Sequence, residues 1–312
     1  MKSNMRSTIV VVGPTASGKT NFSIKLAEKL DGEIINADSM QVYDGFNILK
    51  AAPSKEDMRC ISHHLFGIVD LRKKFSVAEW LKLVEETISD IHSRNKTPIL
   101  VGGSGMYINA SLQGISNIPK INKKIRDKID ILLKEKGLTF FYNQLRLYEG
   151  QQKFKIKKND RQRLIRAYEV FLQTGKTISW WQNKQVKNPI VKRPFKILLS
   201  PSKEILYPNI NSRLEKMIDI GLIEEIKNYH SKNLSLELPS MKAIGINYFF
   251  EYLDSVRSLD EAVKLTQQES RKYAKRQMTW FRNSFSSDIT YSNLFKNDKK
   301  FILNVVKAFN LL

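Results

Sequence analysis

The chain has 312 residues, of which 42% are hydrophobic and 27% charged, and this composition excludes disorder as the main state. Such a length allows one large domain, or a core domain with a second domain inserted. A single cysteine, Cys60, excludes a disulfide framework and a cysteine-based zinc site, and it indicates a reducing compartment. No apolar run reaches the roughly 18–20 residues of a membrane span, so we expect a cytoplasmic protein without signal peptide or membrane anchor.

The positive charge is unevenly distributed along the chain. Lysine and arginine number 52 against 31 aspartate and glutamate, a formal net charge of +21. Residues 1–110 carry 14 basic and 12 acidic side chains, whereas residues 120–196 carry 21 basic and 6 acidic ones. A near-neutral part followed by a strongly basic one fits a catalytic core beside a surface that binds a polyanion. The alternative, lysines that only maintain solubility, gives no reason for the charge to segregate.

Strands alternate with helices over the first 115 residues, which indicates a parallel sheet with right-handed crossovers. We expect strands at 9–12, 33–37 and 98–102, and helices at 19–30 and 76–92. The first strand is a continuous β-branched run, typical of a strand buried on both faces. Ser76 and Glu79 have the spacing of a capping box at the start of the second helix.

The pattern becomes helical and basic after residue 120. We expect helices at 122–136, 139–147 and 159–174, the last ended by Gly175. A strand pattern returns at 195–199, and a long helix follows at about 259–282. The return to a strand indicates that the basic helical block is inserted within the α/β domain. The predicted domains are therefore 1–119, 120–194 and 195–312.

One segment matches the phosphate-loop pattern GxxxxGK[ST] at every position, with a strand before it and a helix after it. We expect its backbone N–H groups and the helix N-terminus to bind a diphosphate or triphosphate, with Lys19 on the outer phosphate and the Thr20 hydroxyl as a ligand of Mg²⁺. The predicted fold class is thus α/β, a P-loop NTPase-like parallel-sheet core with an inserted basic all-helical domain. The predicted diphosphate-binding residues are Gly13, Pro14, Thr15, Ala16, Ser17, Gly18, Lys19 and Thr20.

The rest of the pattern is unlike a nucleotide hydrolase. The strand that ends at Val101 runs into Gly102-Gly103-Ser104-Gly105 without the acidic residue of a Walker-B strand. Asp38 follows a predicted strand instead, as Asp70 does, and the spacing alone does not distinguish a metal ligand from a general base. The Asn-Lys pairs lack an aspartate two residues further on, so the guanine-reading motif of a GTPase is absent from the sequence.

Taken together, several segments resemble the tRNA dimethylallyltransferase (tRNA isopentenyltransferase) family, and the resemblance runs from Gly13 to about Arg282. The phosphate loop alone is common to many enzymes, whereas its combination with the other motifs is close to diagnostic. The segments that carry the resemblance are Gly13–Thr20, Asp38-Ser-Met-Gln-Val-Tyr43, His63-His64-Leu65, Val101-Gly-Gly-Ser-Gly-Met-Tyr107, Asn159-Asp-Arg-Gln-Arg-Leu-Ile-Arg166, Leu238-Pro-Ser-Met-Lys-Ala-Ile-Gly245 and Arg271-Lys-Tyr-Ala-Lys-Arg-Gln-Met-Thr-Trp-Phe-Arg282.

The resemblance implies a reaction: N6 of the adenosine at position 37 of a tRNA, 3′ of the anticodon, attacks the allylic carbon of dimethylallyl diphosphate, and diphosphate leaves. It implies Asp38 as the general base, although a helix cap or metal ligand remains open for this carboxylate. Ser104 stands where the family usually has threonine, and its hydroxyl would bond the reacting centre. Lys19, Thr20 with Mg²⁺, and Arg213 would stabilise the leaving diphosphate.

The resemblance also implies tRNA contacts and a flipped-out target base. Arginine planes and a tryptophan ring are how proteins grip single-stranded RNA loops, although each charge alone could be a solvated helix face. We expect a monomer whose partners are tRNA and dimethylallyl diphosphate. The predicted tRNA-binding residues are Asp38, Ser39, Met40, Gln41, Ser104, Arg126, Gln162, Arg163, Leu164, Ile165, Arg166, Lys242, Lys275, Arg276, Gln277, Trp280 and Arg282.

The chain departs from the family at a few positions. The usual Thr-Ala-Lys-Pro segment is here Lys50-Ala51-Ala52-Pro53, Gly67 replaces an aspartate, and Arg161 replaces a common proline. Two other functions remain open at this point. A P-loop kinase for a small molecule or nucleotide would explain the phosphate loop but not the basic insertion. A non-catalytic RNA-binding protein would explain the insertion but not the full set of loop motifs.

Overall fold

The computed structural model describes residues 7–150, 154–184 and 188–312. Two compact units divide the chain: residues up to 112 together with 189–312 form the first, and residues 113–188 form the second. The strands are β1 Thr8–Val12, β2 Gly32–Asn36, β3 Tyr43–Asp44, β4 His63–His64, β5 Val69–Asp70, β6 Thr97–Gly102, β7 Pro194–Leu199 and β8 Ile289–Tyr291. The helices are α1 Lys19–Leu30, α2 Lys55–Cys60, α3 Val77–Ser93, α4 Gly105–Gln113, α5 Lys123–Glu149, α6 Arg161–Thr174, α7 Ile178–Asn183, α8 Lys203–Asp219, α9 Leu222–His230, α10 Ile246–Leu253, α11 Leu259–Ser284 and α12 Lys299–Asn310, with a 3-10 turn at Pro239–Lys242.

The first unit is built on a parallel sheet with the strand order β4-β2-β6-β1-β7-β8. Val12 at the end of β1 pairs with Gly102 at the end of β6, and Asn36 at the end of β2 pairs with Val101. The carboxyl ends of these three strands therefore meet at one edge of the sheet, which is where open α/β sheets bind ligands. The phosphate loop, the Asp38 segment and the Gly102–Gly105 loop all begin at this edge.

Both faces of the sheet are covered, as the continuous apolar run of β1 predicts. Val10 and Val12 face a core that contains Trp80 of α3 and Ile108 of α4. Ile9 and Val11 face a second core, which is built with α1 and α12. Side chains alternate between the faces of a strand, so a strand that is buried on both faces has no polar period.

The second unit is helical. Its core joins α5 and α6 and contains Ile129, Phe141, Leu145, Leu164, Ala167 and Tyr168. Gly137 interrupts α5 with a φ of 69°, which confirms the prediction of two helical segments on either side of it. Asp160 caps the start of α6 through the backbone N–H of Arg163, and Gly175 ends it in the left-handed conformation, as predicted.

The predicted α/β fold class with a parallel core sheet is confirmed. The capping box of Ser76 and Glu79 also forms, at the start of α3. One element departs from the expectation of a mostly helical C-terminal part, since β8 joins the edge of the sheet next to β7. Within the described ranges, no helix is long and apolar enough to cross a membrane.

Candidate active site

The phosphate loop connects β1 to α1 and is held in a tight turn. Gly18 has a φ of 90°, and a Cβ there would lie 2.3 Å from the Phe295 carbonyl oxygen, so this position requires glycine. The Asn209 amide of α8 donates to the Ala16 carbonyl at 2.7 Å. The Lys19 ammonium donates to the carbonyls of Gly13 and Pro14 at 2.9 and 2.7 Å. The loop thus holds the lysine over its own turn, where a phosphate group would compete for it.

Lys19, Asp38 and Arg213 interact electrostatically at this edge. Burial lowers the pKa of Lys19 to about 7, the Asp38 carboxylate opposes that shift, and Arg213 adds to it. Burial also lowers the pKa of Arg213, again against the attraction of Asp38. Two partly buried basic side chains beside one carboxylate give a net positive charge when Lys19 is protonated, and a diphosphate would neutralise it.

The Asp38 segment leaves the end of β2 in a fixed turn. The Asp38 N–H donates to Asn36 Oδ1 at 2.8 Å, and Asp38 Oδ1 accepts from the Met40 N–H at 2.9 Å. The Ser39 N–H donates to Ser104 Oγ at 3.0 Å, which ties this segment to the loop after β6. One carboxylate oxygen of Asp38 therefore orients its own turn.

The Gly102–Gly105 loop allows close contacts on two sides. A Cβ at Gly102 would lie 2.1 Å from the Ala37 carbonyl oxygen, and one at Gly105 would lie 2.6 Å from the Trp280 ring. A Cβ at Gly103 would lie 2.4 Å from Gln277 Nε2. Only glycine permits both the end of β2 and helix α11 to approach this loop. Ser104 is 7% exposed at the centre of these contacts.

Two site residues were missed by the sequence reasoning. Burial raises the pKa of the Tyr273 hydroxyl, Asp38 adds to that shift, and the nearby Ser104 and Gln277 oppose it. Its position four residues before Gln277, on the same helix face, was the available signal. The ammonium of Lys50 donates to the Tyr43 carbonyl, and burial lowers its pKa to about 8 against the attraction of Glu225, Asp44 and Asp38.

The residues predicted to bind tRNA fall into different environments. The exposed residues are Arg126, Gln162, Arg163, Lys242, Lys275, Arg276 and Arg282. Ser39, Met40, Ile165, Arg166 and Trp280 are partly buried. Arg126 and Arg166 both approach the Glu169 carboxylate, at 3.6 and 3.2 Å.

Leu164 was wrongly predicted to contact tRNA. It is fully buried in the core of the helical unit, because it faces α5 while its neighbours Gln162 and Arg163 face outward. Two of the other predicted residues are engaged within the chain. Gln41 Nε2 donates to the Lys50 and Ala51 carbonyls, and the buried amide of Gln277 bonds two site loops.

The predicted ligand of Mg²⁺ is a hydroxyl rather than a carboxylate. Thr20 lies exposed in the first turn of α1. Among the residues that the structure describes, no cluster of three or more His, Cys, Asp or Glu side chains could enclose a metal ion. This donor set fits Mg²⁺, which proteins commonly hold through one or two oxygen ligands together with substrate phosphates. His64, which the sequence places beside a second histidine, bonds Glu33 through Nε2 at 2.8 Å and so has a structural partner.

The fold and the three loops at one sheet edge define a P-loop enzyme of the α/β class. Comparison with protein families gives a match to the model described as IPP transferase over residues 41–284. The chain therefore belongs to the IPP transferase family.

Relatives of known name support this assignment over nearly the whole chain. A tRNA dimethylallyltransferase of Bartonella tribocorum is 42% identical over 91% of this chain and 98% of its own. One from Rickettsia felis is 39% identical over 98% of this chain and 99% of its own.

Solved structures show the same similarity. The tRNA isopentenylpyrophosphate transferase of Bacillus halodurans superposes with a TM-score of 0.69 at 33% identity, covering 98% of this chain and 95% of its own. A eukaryotic dimethylallyltransferase acting on tRNA superposes with a TM-score of 0.85 at 27% identity, covering 98% of this chain and 79% of its own.

Proposed function

We propose that this protein is a tRNA dimethylallyltransferase, which transfers a dimethylallyl group from dimethylallyl diphosphate to N6 of adenosine 37 in tRNA. The observation that carries the proposal is the meeting of three loops at one sheet edge. The phosphate loop supplies a diphosphate site, the Asp38 turn supplies a carboxylate, and Ser104 links that turn to the third loop. The relatives named above are tRNA dimethylallyltransferases, which favours this activity over that of a kinase.

In the proposed step, the adenosine N6 lone pair forms a bond to the allylic carbon while the bond from that carbon to the diphosphate oxygen breaks. Asp38 accepts the proton that N6 loses, and the diphosphate leaves with the electron pair of the broken bond. Lys19 and Arg213 stabilise the negative charge that develops on the leaving group. The low pKa of Lys19 in the free protein means that part of this positive charge forms when the diphosphate binds.

The proposed cofactor is Mg²⁺, held by the Thr20 hydroxyl together with the diphosphate. When bound there, it would supply charge neutralisation for the leaving group. The proposed oligomeric state is a monomer, and the proposed location is the cytoplasm.

The helical unit is proposed to bind the tRNA. Its charge supports this assignment, because residues 113–188 carry 18 basic and 6 acidic side chains. Arg126, Gln162, Arg163 and Arg166 lie on α5 and α6, and the first three are exposed. Phosphate contacts by such residues provide affinity without specifying sequence, so recognition of the target base remains with the loops of the first unit.

The experiment that tests the function measures transfer of radiolabelled dimethylallyl from its diphosphate to unmodified tRNA in the presence of Mg²⁺. Asp38→Asn is the informative variant, because an amide keeps the acceptor for the Met40 N–H but cannot take the N6 proton. We expect kcat to fall by about 10²- to 10⁴-fold with tRNA affinity unchanged.

Asp219→Asn, an exposed aspartate at the end of α8, is the matched control and should transfer at the wild-type rate. Full activity of Asp38→Asn would remove the carboxylate from the mechanism. Turnover of ATP with no label in tRNA would favour the kinase instead.

A further inference from the structure

Gln277 links the phosphate loop to the loop that carries Ser104. Its Oε1 accepts from the Thr15 N–H at 2.8 Å, and its Nε2 donates to the Gly103 carbonyl at 2.9 Å. The side chain is 6% exposed, so both bonds form away from water. A single rigid amide therefore sets the separation of two loops whose bonded residues, Thr15 and Gly103, are 88 residues apart in the chain.

The same helix face extends this link to the Asp38 turn. Tyr273 lies one helical turn before Gln277 on this face, and its hydroxyl interacts electrostatically with Ser104 and Gln277. Ser104 Oγ accepts from the Ser39 N–H and donates to Ser39 Oγ at 3.2 Å. The link thus runs from Thr15 through Gln277 to the Gly103–Ser104 loop, and from Ser104 to the residue that follows Asp38.

This contact pattern differs from that of a residue which only fills the core. The partners of Gln277 are backbone groups of two loops, and no secondary structure pairs those groups. An apolar side chain of the same volume would leave a buried N–H and a buried C=O unpaired. The loops would then move apart until water reached those groups, and the diphosphate site would shift against the carboxylate.

We propose that Gln277 is a positioning residue, which fixes the distance between the diphosphate site and the acceptor-base site rather than contacting tRNA. The proposal rests on the proposed function and adds a residue to it. The reaction requires the N6 atom and the allylic carbon in near-contact, and one substrate is held by each loop. A displacement of about 1 Å between the two sites is enough to reduce the rate by about 100-fold.

The test compares three variants in the prenyl-transfer assay with saturating tRNA. Gln277→Met removes both bonds at similar volume, and Gln277→Glu keeps the acceptor for the Thr15 N–H but loses the donor to Gly103. Gln268→Met makes the same change at an exposed position of α11 and is the matched control. We expect kcat to fall about 10- to 100-fold in Gln277→Met and less in Gln277→Glu, with KM for dimethylallyl diphosphate and Kd for tRNA within about threefold of wild type.

Two outcomes would overturn the proposal. Unchanged kcat with a raised Kd for tRNA would make Gln277 a direct RNA contact, and unchanged kcat with unchanged Kd would leave it a packing residue. Thermal unfolding must show that the Gln277→Met variant is folded, which excludes loss of folding as the cause. In the double variant with Ser104→Ala, kcat must fall by less than the product of the two single effects, because both residues act on one geometry. Absence of transfer by the wild-type protein would instead contradict the proposed function itself.

Discussion

Lys19 is buried deeply enough for its charge to change near neutral pH. Its pKa is lowered to about 7, so much of the side chain is neutral at pH 8 in the free protein. A bound diphosphate favours the ammonium and raises that pKa again. Binding above pH 7 must therefore take up a proton, and affinity should fall by up to about tenfold for each pH unit above 7.

Calorimetric titration with dimethylallyl diphosphate, where the ligand is fully ionised, measures this uptake directly. At pH 8 the binding heat of the wild type is measured in two buffers of different ionisation enthalpy. The difference between the two heats should correspond to the uptake of close to one proton per bound ligand. Lys19→Met should bind more weakly and take up no proton. A pH-independent affinity between pH 7 and 9 in the wild type would contradict a neutral lysine in the free site.

Single residues of the site could be predicted where a motif fixes their chemistry. Lys19, Asp38 and Ser104 belong to loops whose glycines and strand context are visible in the sequence, and these loops meet at one sheet edge. Gln277 could not be assigned in this way, because its partners are backbone atoms of distant loops. Leu164 was misassigned because it lies inside a basic motif, whereas the period of α6 turns it into the core.

Glu33 of β2 ties together elements on one side of the sheet. The carboxylate is 2% exposed, and it meets His64 of β4 at 2.8 Å, Lys96 at 3.3 Å and two nitrogens of Arg94. Its hydrogen bonds with Arg94, and then those with His64 and Lys96, lower its pKa to about 2. A folded-state pKa below the ordinary 4.5 contributes stability above pH 4.5, and that stability is lost as pH falls toward 2.

Glu33→Gln should therefore lower the free energy of unfolding by about 2 kcal/mol at pH 7, a figure that allows for the solvent-exposed Arg94 partner. Urea unfolding at several pH values measures the difference, which should shrink between pH 5 and 3. Glu86→Gln is the control, since that exposed carboxylate meets only Lys82 at 4.0 Å among its described ion pairs. A gap that stays constant down to pH 3 would assign the effect to packing instead of charge.

At the scale of elements, long periodic segments could be predicted and short ones could not. Strands β1, β2, β6 and β7 and helices α1, α3, α6 and α11 carry strong patterns, and the structure confirms them. Strands β3 and β5 have two residues each, so they leave no readable period. Beside them the Val42 carbonyl accepts from the N–H groups of Ile68 and Val69, contacts that depend on the folded loop.

For the whole molecule, the division of charge supports the proposal that catalysis and tRNA attachment lie in different parts of the chain. Residues 1–110 are nearly neutral, whereas residues 120–196 hold 21 basic and 6 acidic side chains. A chemical step at the sheet edge needs a few buried charges of fixed geometry, and RNA attachment needs many exposed ones. This division predicts that added salt weakens the affinity for tRNA far more than it lowers the transfer rate at saturating tRNA.

The Kd for unmodified tRNA, measured by filter binding between 50 and 300 mM KCl, should rise steeply with salt. Each phosphate neutralised contributes about 0.7 to 0.9 to the slope of log Kd against log salt. Arg163→Gln, on an arginine whose side chain is 77% exposed, should reduce that slope by close to one phosphate contact. Lys300→Gln at the exposed start of α12 removes the same charge outside the basic block and should leave the slope unchanged.

The same titration should separate attachment from chemistry. The transfer rate at saturating tRNA should change little over this range, because Lys19 and Arg213 are buried and therefore weakly screened. A flat salt dependence of Kd, or equal slopes for wild type and Arg163→Gln, would mean that tRNA attaches elsewhere. Residue 163 would then be a solvated helix charge, and the basic block would serve solubility alone.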